Sequence, residues 1–273
     1  MTTGTTTATT APGSGYDRMG EFHDLFMDEP HRRLRPALEA AFGDRGPDDI
    51  VLDLGAGSGL GVRQLAQATC ARIVAVEPSL TMRAVMLARI ADDADLTDRV
   101  SVIAGAVPEV FDQLPDRIAG FVCAHMLGHL TPAVRSQTLA ALAERLAPDG
   151  VGVVTVNAPA TTDSEPAATA PRPAEPVTEE RVIGAHRYVA RHYPSGPDGA
   201  SFSAYEVQDG NGRVLRAARF ASDWTTITAD TLRAELASSG DAQWVLVPHA
   251  QNRTLLLLTR VVPSRSSQPV TAP

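Results

Sequence analysis

The stretch IVLDLGAGSGLGVRQLA, residues 50–66, limits the fold more than any other part of the chain. A short apolar strand runs into Gly55, Gly57 and Gly59, and a helical pattern follows with Val62, Leu65 and Ala66 on one face. Glycines at a strand-to-helix bend bring bare backbone to the surface, with no Cβ atoms in the way. The helix behind them presents unpaired N–H groups and the positive end of its dipole. Such a bend serves a flat or charged ligand, and it belongs to sheets whose strands are joined by helical crossovers.

The flanking pattern agrees with that fold. Helices are predicted over PHRRLRPALEAAF (30–42), LGVRQLAQA (60–68) and SLTMRAVMLARI (79–90), the last with Ser79 as N-cap. A further helix spans 131–150, capped by Thr131, opened by Pro132 and stopped by Pro148 and Gly150. Strands are predicted at 50–54, 72–77, 99–105, 118–125 and 151–157. Five strands alternating with helices define an α/β fold, a doubly wound and mostly parallel sheet. Its ligand crevice is then lined by residues 53–59, 77–82, 104–107 and 123–129.

The alternation breaks after residue 157. Residues 158–178 are Pro-rich and read as a linker or lid, and residues 179–223 as a small antiparallel β insertion that caps the substrate. That insertion contains strand-like runs at 181–193, 201–209 and 213–222, the last two joined by Gly210-Asn211 as a hairpin. A helix at 229–240 and strands at 243–248 and 254–262 return to the core, within residues 224–262, as its last helix and edge hairpin. They bring the sheet to seven strands. The cofactor-binding core is thus 15–157, and 1–14 and 263–273 read as disordered tails.

Composition removes several functions. The net charge of −8 argues against a nucleic-acid partner, because phosphate binding needs basic surface. No apolar run reaches the length of a membrane span and the N-terminus has no signal-peptide pattern, so a cytoplasmic location is expected. Cys70 and Cys123 stand apart in apolar company and read as reduced core residues, with no metal-ligand spacing. The chain contains no lysine, which excludes a Schiff-base lysine, a P-loop lysine and a Tyr-x-x-x-Lys dehydrogenase pair.

Glu77 ends the second strand, 18 residues past Gly59, where a carboxylate can accept both hydroxyls of a ribose. Bend and acid together fit a nucleoside cofactor. The dinucleotide pattern G-x-G-x-x-G fails at Leu60 when started from Gly55 and at Val62 when started from Gly57. The spacing present is D-x-G-x-G-x-G, with Asp53 at its head.

VLDLGAGSGLGVRQLA, VEPSLTM and FVCAHMLGHL resemble the glycine-rich, ribose-binding and post-strand-4 motifs of class I S-adenosylmethionine-dependent methyltransferases, most of all the small-molecule branch that includes quinone-biosynthesis enzymes. The resemblance covers residues 15–157 and the terminal helix and hairpin. It implies S-adenosylmethionine as cofactor. It also implies that Asp53, Gly55, Ala56, Gly57 and Gly59 flank the methionine part, and that Glu77 takes the ribose hydroxyls. Pro78 and Met82 would pack on adenine or ribose, and Gly105, Ala106, Val107 and Ala124 would complete the site. Two departures stand out. Gly105-Ala106-Val107 offers only backbone where relatives often carry an acid for the adenine amino group, and Ala119-Gly120 replaces a frequent Asp in strand 4.

Methyl transfer from a sulfonium is mainly alignment, helped by a base when the acceptor is a hydroxyl or a protonated amine. His125 and His129, just beyond strand 4, are the candidate bases; His129 lies in Leu-Gly-His-Leu where relatives often have Leu-His-His-Leu. Tyr16 and His23 in the N-terminal segment, and Tyr188 and His192 in the inserted strands, are the candidate substrate residues. Packing is the competing explanation for each of these side chains. No Pro-Pro-aromatic motif follows strand 4, so the reading is a small diffusible acceptor methylated at O, N or C, with no membrane and no nucleic acid partner; a homodimer is compatible with it. The alternative is an S-adenosylmethionine-binding protein with non-methylating catalysis or a regulatory role. A nicotinamide oxidoreductase and an RNA methyltransferase fit less well.

Overall fold

The computed structural model describes residues 14–157, 176–193, 201–222, 224–239, 244–250 and 252–260. Most of the N-terminal tail, most of the Pro-rich linker and the C-terminal tail of the sequence reading lie outside them.

Strands β1 (Ile50–Leu54), β2 (Arg72–Glu77), β3 (Val100–Ala104), β4 (Ile118–Cys123) and β5 (Leu146–Thr155) run parallel. Strands β6 (Val177–Ile183), β7 (His186–Tyr193), β8 (Ser201–Gln208) and β9 (Val214–Ser222) form a separate antiparallel sheet. Strands β10 (Trp244–His249) and β11 (Asn252–Arg260) pair with each other, and β11 runs antiparallel to β5. The large sheet has the order β3-β2-β1-β4-β5-β11-β10. The order reverses beside β1, and the carboxyl ends of β1 and β4 therefore flank the crevice where open α/β sheets take ligands.

β1 is apolar on both sides because both faces of the sheet are covered. Leu52 and Leu54 join one core with Phe121, Leu139 and Leu256, while Val51 joins the other with Leu38, Phe42 and Leu65. Helices α1 (Ser14–Arg32), α2 (Arg35–Phe42), α3 (Leu60–Ala68), α4 (Leu80–Ala91), α5 (Ala94–Arg99), α6 (Pro132–Arg145) and α7 (Ala229–Ser239) complete the described elements. Ser79 caps α4 by accepting from the Met82 N–H, and Thr131 caps α6 with Pro132 behind it, as their residue types require.

Several expected boundaries move, each for a local reason. The helix expected over 30–42 is two helices: Pro36, which has no N–H to give, sits in the first turn of α2, where none is needed. Helix α6 ends at Arg145, not at Pro148, and β5 starts at once, its register slipping between Ile118 and Gly120 of β4. Pro148 and Gly150 are thus strand irregularities. The run 181–193 folds back on itself at Gly184, whose φ of 58° reverses the chain, so the insertion has four strands and the first begins inside the presumed linker. Cys70 is exposed, contrary to the expectation of a core residue; Cys123 is buried.

The small sheet packs one face on α1. Phe22 stacks on Tyr205 with ring centroids 4.8 Å apart, and Phe26, Ala190 and Val207 close that third core. The N-terminal segment is therefore a helix clamped between the small sheet and α3 and α4.

Candidate active site

The bend after β1 is built for close approach. Gly55, Gly57 and Gly59 have φ of 69°, 56° and 83°, which side chains resist. A Cβ on Gly55 would stand 2.7 Å from Met126 Cβ and one on Gly59 2.9 Å from Met86 Cγ. Protein methionines therefore fill two of the three bare positions. Gly57 is less crowded: a Cβ there would stand in ordinary contact with the His23 ring, 3.7 Å away.

Glu77, at the tip of β2, is nearly enclosed at 6% exposure. One carboxylate oxygen accepts the Gly57 N–H at 2.9 Å and the other the Ser79 N–H at 2.7 Å. Burial raises its pKa, and those two backbone bonds and the charges of His23 and Arg83 oppose the rise. Asp53, at 3% exposure, keeps one oxygen without a hydrogen-bond partner among the described atoms. Burial, and then the charge of Glu77, push it up to about 7.

Helix α1 covers this bend and is latched to it. The Asp24 carboxylate accepts from His23 Nδ1 at 3.0 Å, from Arg89 Nη2 at 2.6 Å and from the Ser58 hydroxyl, and Arg89 also donates to the Ser58 carbonyl. Burial works against ionisation of Asp24, yet these donors and the Arg89 charge hold its carboxyl well below the usual range. The sequence offered Tyr16 and His23 of this segment as substrate residues but singled out neither Asp24 nor Arg89. Arg89 stands 65 positions away on α4, and no local pattern links the two.

Tyr16, near the start of α1, reaches across to His129: its hydroxyl lies 2.7 Å from Nε2. Burial, then the charge of Glu77 and the neighbouring Tyr205, push the Tyr16 phenol up to about 12. His129 is exposed and lies edge-on between two rings, Tyr16 at 5.4 Å and Trp224 at 4.9 Å. Trp224 follows a strand of the insertion, nearly a hundred positions from His129, so only the fold could reveal the pairing.

The two candidate bases have different surroundings. His125 has a left-handed backbone (φ 54°), its N–H held by the Thr155 hydroxyl at 2.7 Å. Its ring packs on His31 at 5.2 Å and its Nε2 is buried without a partner among the described atoms. Burial, with His31 and His23 nearby, pushes it down to about 4. Enclosure thus sets His125 against taking up a proton, which disfavours it as a second base.

Three further expectations change. Met82 is 1% exposed and enclosed by protein, so it gives a cofactor no surface. Tyr188 packs edge-on against Phe22 at 6.4 Å and belongs to the core beneath α1. His192 bonds the Ser203 hydroxyl at 2.8 Å and stands beside Tyr205 at 6.1 Å, which ties it into the small sheet. Pro78 is half-buried between β2 and α4, and its carbonyl accepts from Arg83 at 2.6 Å. Gly105, Ala106 and Val107 follow β3; the Ala106 carbonyl is engaged by the Val110 N–H at 3.0 Å. Ala124 follows β4 and is buried. The described residues hold no cluster of His, Cys, Asp and Glu suited to a metal, and no described helix is long and apolar enough to cross a membrane.

Comparison with known proteins accords with this arrangement. A family described as a methyltransferase domain matches residues 51–150, from β1 through β5. No curated protein sequence matches the chain. Among solved structures, the CcbJ methyltransferase from Streptomyces caelestis superposes with a TM-score of 0.65 at 16% identity, over 92% of this chain and 100% of that one. CalS10 from Micromonospora echinaspora, an amino pentose methyltransferase solved with S-adenosylmethionine bound, gives 0.60 at 18% identity, over 90% and 96%. The sugar N-methyltransferase KedS8 from Streptoalloteichus sp. gives 0.58 at 20% identity, over 95% and 98%. At such identities the likeness speaks to fold, and the domain match speaks to family. The chain thus carries a methyltransferase domain over residues 51–150 and has the fold of S-adenosylmethionine-dependent methyltransferases.

Proposed function

We propose that the protein methylates an amine on a small, sugar-like molecule, and that His129 with Tyr16 handles the proton the reaction releases. The observation that carries this reading is the Tyr16–His129 hydrogen bond of 2.7 Å, formed between the covering helix and the turn after β4. Several neighbours of the same fold are described as amino-sugar or sugar N-methyltransferases, which favours nitrogen over oxygen or carbon.

The residues at the bend fit the cofactor. Each Glu77 oxygen accepts one backbone N–H and keeps a further lone pair, so the carboxylate can still receive the two hydroxyls of a ribose. Asp53 has a buried oxygen in want of a donor, which an α-ammonium group supplies. Gly57 carries no side chain between the bend and the His23 ring. Gly55, Ala56, Gly59, Pro78, Gly105, Ala106, Val107 and Ala124 contribute backbone and small surfaces around it. When bound, S-adenosylmethionine supplies a methyl group on a sulfonium sulfur, displaced in line. The amine must attack with its lone pair free. The Tyr16 hydroxyl takes the ammonium proton and passes its own to His129 Nε2, 2.7 Å away, so that the imidazole ends up holding it. Tyr16 stays a neutral phenol at working pH, keeps its hydrogen bond and places no negative charge beside Glu77. Helix α1, latched through Asp24, keeps water from the sulfonium side.

In this reading residues 15–157 and 224–262 form the catalytic core and 179–223 the cap. The test is transfer of labelled methyl from S-adenosylmethionine to a panel of amino-sugar nucleotides beside their hydroxyl counterparts. Labelled amine product is expected. Label only in the hydroxyl series, or none with a protein that binds the cofactor, refutes the nitrogen assignment.

A further inference from the structure

His129 sits on a short turn, Leu127–His129, and nearly every carbonyl around it is committed. The Met126 carbonyl accepts the His129 N–H at 3.0 Å, and the Leu127 carbonyl accepts the Leu130 N–H at 3.2 Å. The Gly128 carbonyl accepts the Thr225 N–H at 2.8 Å, from the segment that leaves the small sheet. Gly128 itself is pressed by Trp224: a Cβ there would lie 2.5 Å from the indole, so a side chain at this position and the Trp224 packing exclude each other.

The remaining contacts come from one side chain. Arg135 of α6 is 1% exposed. Its Nη1 donates to the Leu127 carbonyl at 3.1 Å and to the Leu130 carbonyl, and so grips the turn on either side of His129. Its Nε and Nη2 meet the two Glu235 oxygens of α7 at 2.9 and 2.6 Å. A buried ion pair of this kind is seldom worth its desolvation, and apolar residues of equal volume commonly give as much stability. What a guanidinium adds is direction, five donors in a fixed plane, which neither leucine nor lysine reproduces.

We propose that the Arg135–Glu235 pair, with Trp224 and Thr225, is a positioning clamp that fixes the His129 ring against Tyr16. The pair touches neither acceptor nor cofactor; it acts through the turn. It also ties the exit of the cap to the turn, because Trp224, Thr225 and Glu235 lie on the chain that returns from the small sheet. The proposal rests on the reading of His129 as the proton acceptor for its consequence in turnover, but the geometric claim stands without it.

The test uses the full chain with ¹⁵N-labelled histidine; seven histidines give a tractable spectrum, and His129 is assigned by its loss in His129→Gln. In the wild type the His129 ring is expected as the single Nδ1–H tautomer, with Nε2 accepting from the Tyr16 hydroxyl. The double variant Arg135→Leu with Glu235→Leu removes both buried charges together. It is expected to fold, to bind S-adenosylmethionine within about twofold of wild type, and to show His129 as a mixture of tautomers, because a freed turn loses its single ring placement. With an amine acceptor, kcat is expected to fall on the order of tenfold to a hundredfold while the cofactor KM stays put. An unchanged His129 spectrum in this variant overturns the clamp. If the double variant does not fold, Arg135→Lys decides: one ammonium cannot serve both carbonyls and both carboxylate oxygens, so a mixture is again expected, and a wild-type spectrum refutes the proposal. A wild type that fails to transfer methyl groups while the variants still free the His129 ring would sink the functional reading and leave the clamp standing.

Discussion

Replacing Glu77 by Gln tests the cofactor site at the group on which most of it depends. The wild-type carboxylate accepts at both oxygens, from Gly57 N–H at 2.9 Å and Ser79 N–H at 2.7 Å. An amide has one oxygen. Its NH₂ must face one of those N–H donors, so one backbone bond is lost and one acceptor site for a ribose hydroxyl goes with it. Hydrogen bonds to a charged group contribute about 1.5–3 kcal/mol each, and two such bonds are weakened in the complex. The backbone bond is lost in the free protein and in the complex alike, so it cancels from the affinity. S-adenosylmethionine affinity is therefore expected to fall by about 10- to 1000-fold. Glu77→Ala, which withdraws both oxygens, falls at the weaker-binding end. Titration calorimetry with S-adenosylmethionine and S-adenosylhomocysteine reads the effect, with circular dichroism as control for the fold. A folded Glu77→Gln protein with wild-type affinity for both would refute the reasoning.

Other expectations follow from the same geometry. Asp53 titrates near 7 in the fold and 3.8 outside it, so the free protein loses stability as pH rises from about 4 to 7. Asp53→Asn removes that loss and is expected to be more stable than wild type at pH 8, by at most about 4 kcal/mol, with no advantage below pH 4; urea midpoints against pH check the sign. Asp24 is shifted the other way, so its contribution is present above the ordinary carboxylate value of 3.8 and disappears as pH falls below it. Asp24→Ala is expected to cost about 2 kcal/mol at pH 7 and to raise hydrogen exchange in α1 while leaving the sheet protected; uniform protection would contradict the latch. Tyr16→Phe and His129→Gln are expected to lower kcat about tenfold or more without weakening cofactor binding, and the wild-type rate should show no alkaline limb from Tyr16 near pH 10, since that phenol stays protonated to about 12. Full turnover in His129→Gln would reduce that residue to packing.

The glycine bend was legible because its causes are local. Glycine spacing, the strand before it and Glu77 at a fixed distance all lie within 28 residues, and the structure brings the Glu77 carboxylate onto the Gly57 N–H. The seven-stranded sheet was legible for the same reason, since apolar strands and capped helices declare themselves one by one. His129 stood out by its place after β4, but its partners did not. Tyr16 lies 113 positions away and Trp224 lies beyond the insertion, so neither leaves a pattern around His129. The same distance hid Arg135 and Glu235, which read as ordinary charges on helical faces until the fold buried them together. His125 misled because residue type and position suit a base, whereas its protonation depends on burial against His31, which no motif records. Met82 is a similar case: a helix start beside Glu77 suggested a cofactor contact, but packing encloses the side chain.

The most direct test of the account is whether the bend after β1 holds a sulfur nucleoside. Calorimetric titration of the unmodified protein with S-adenosylhomocysteine, and separately with NAD, answers it. Saturable one-to-one binding of S-adenosylhomocysteine with no heat from NAD is predicted. Binding of NAD alone, or no binding of the sulfur nucleoside at millimolar concentration, would contradict the account at its root.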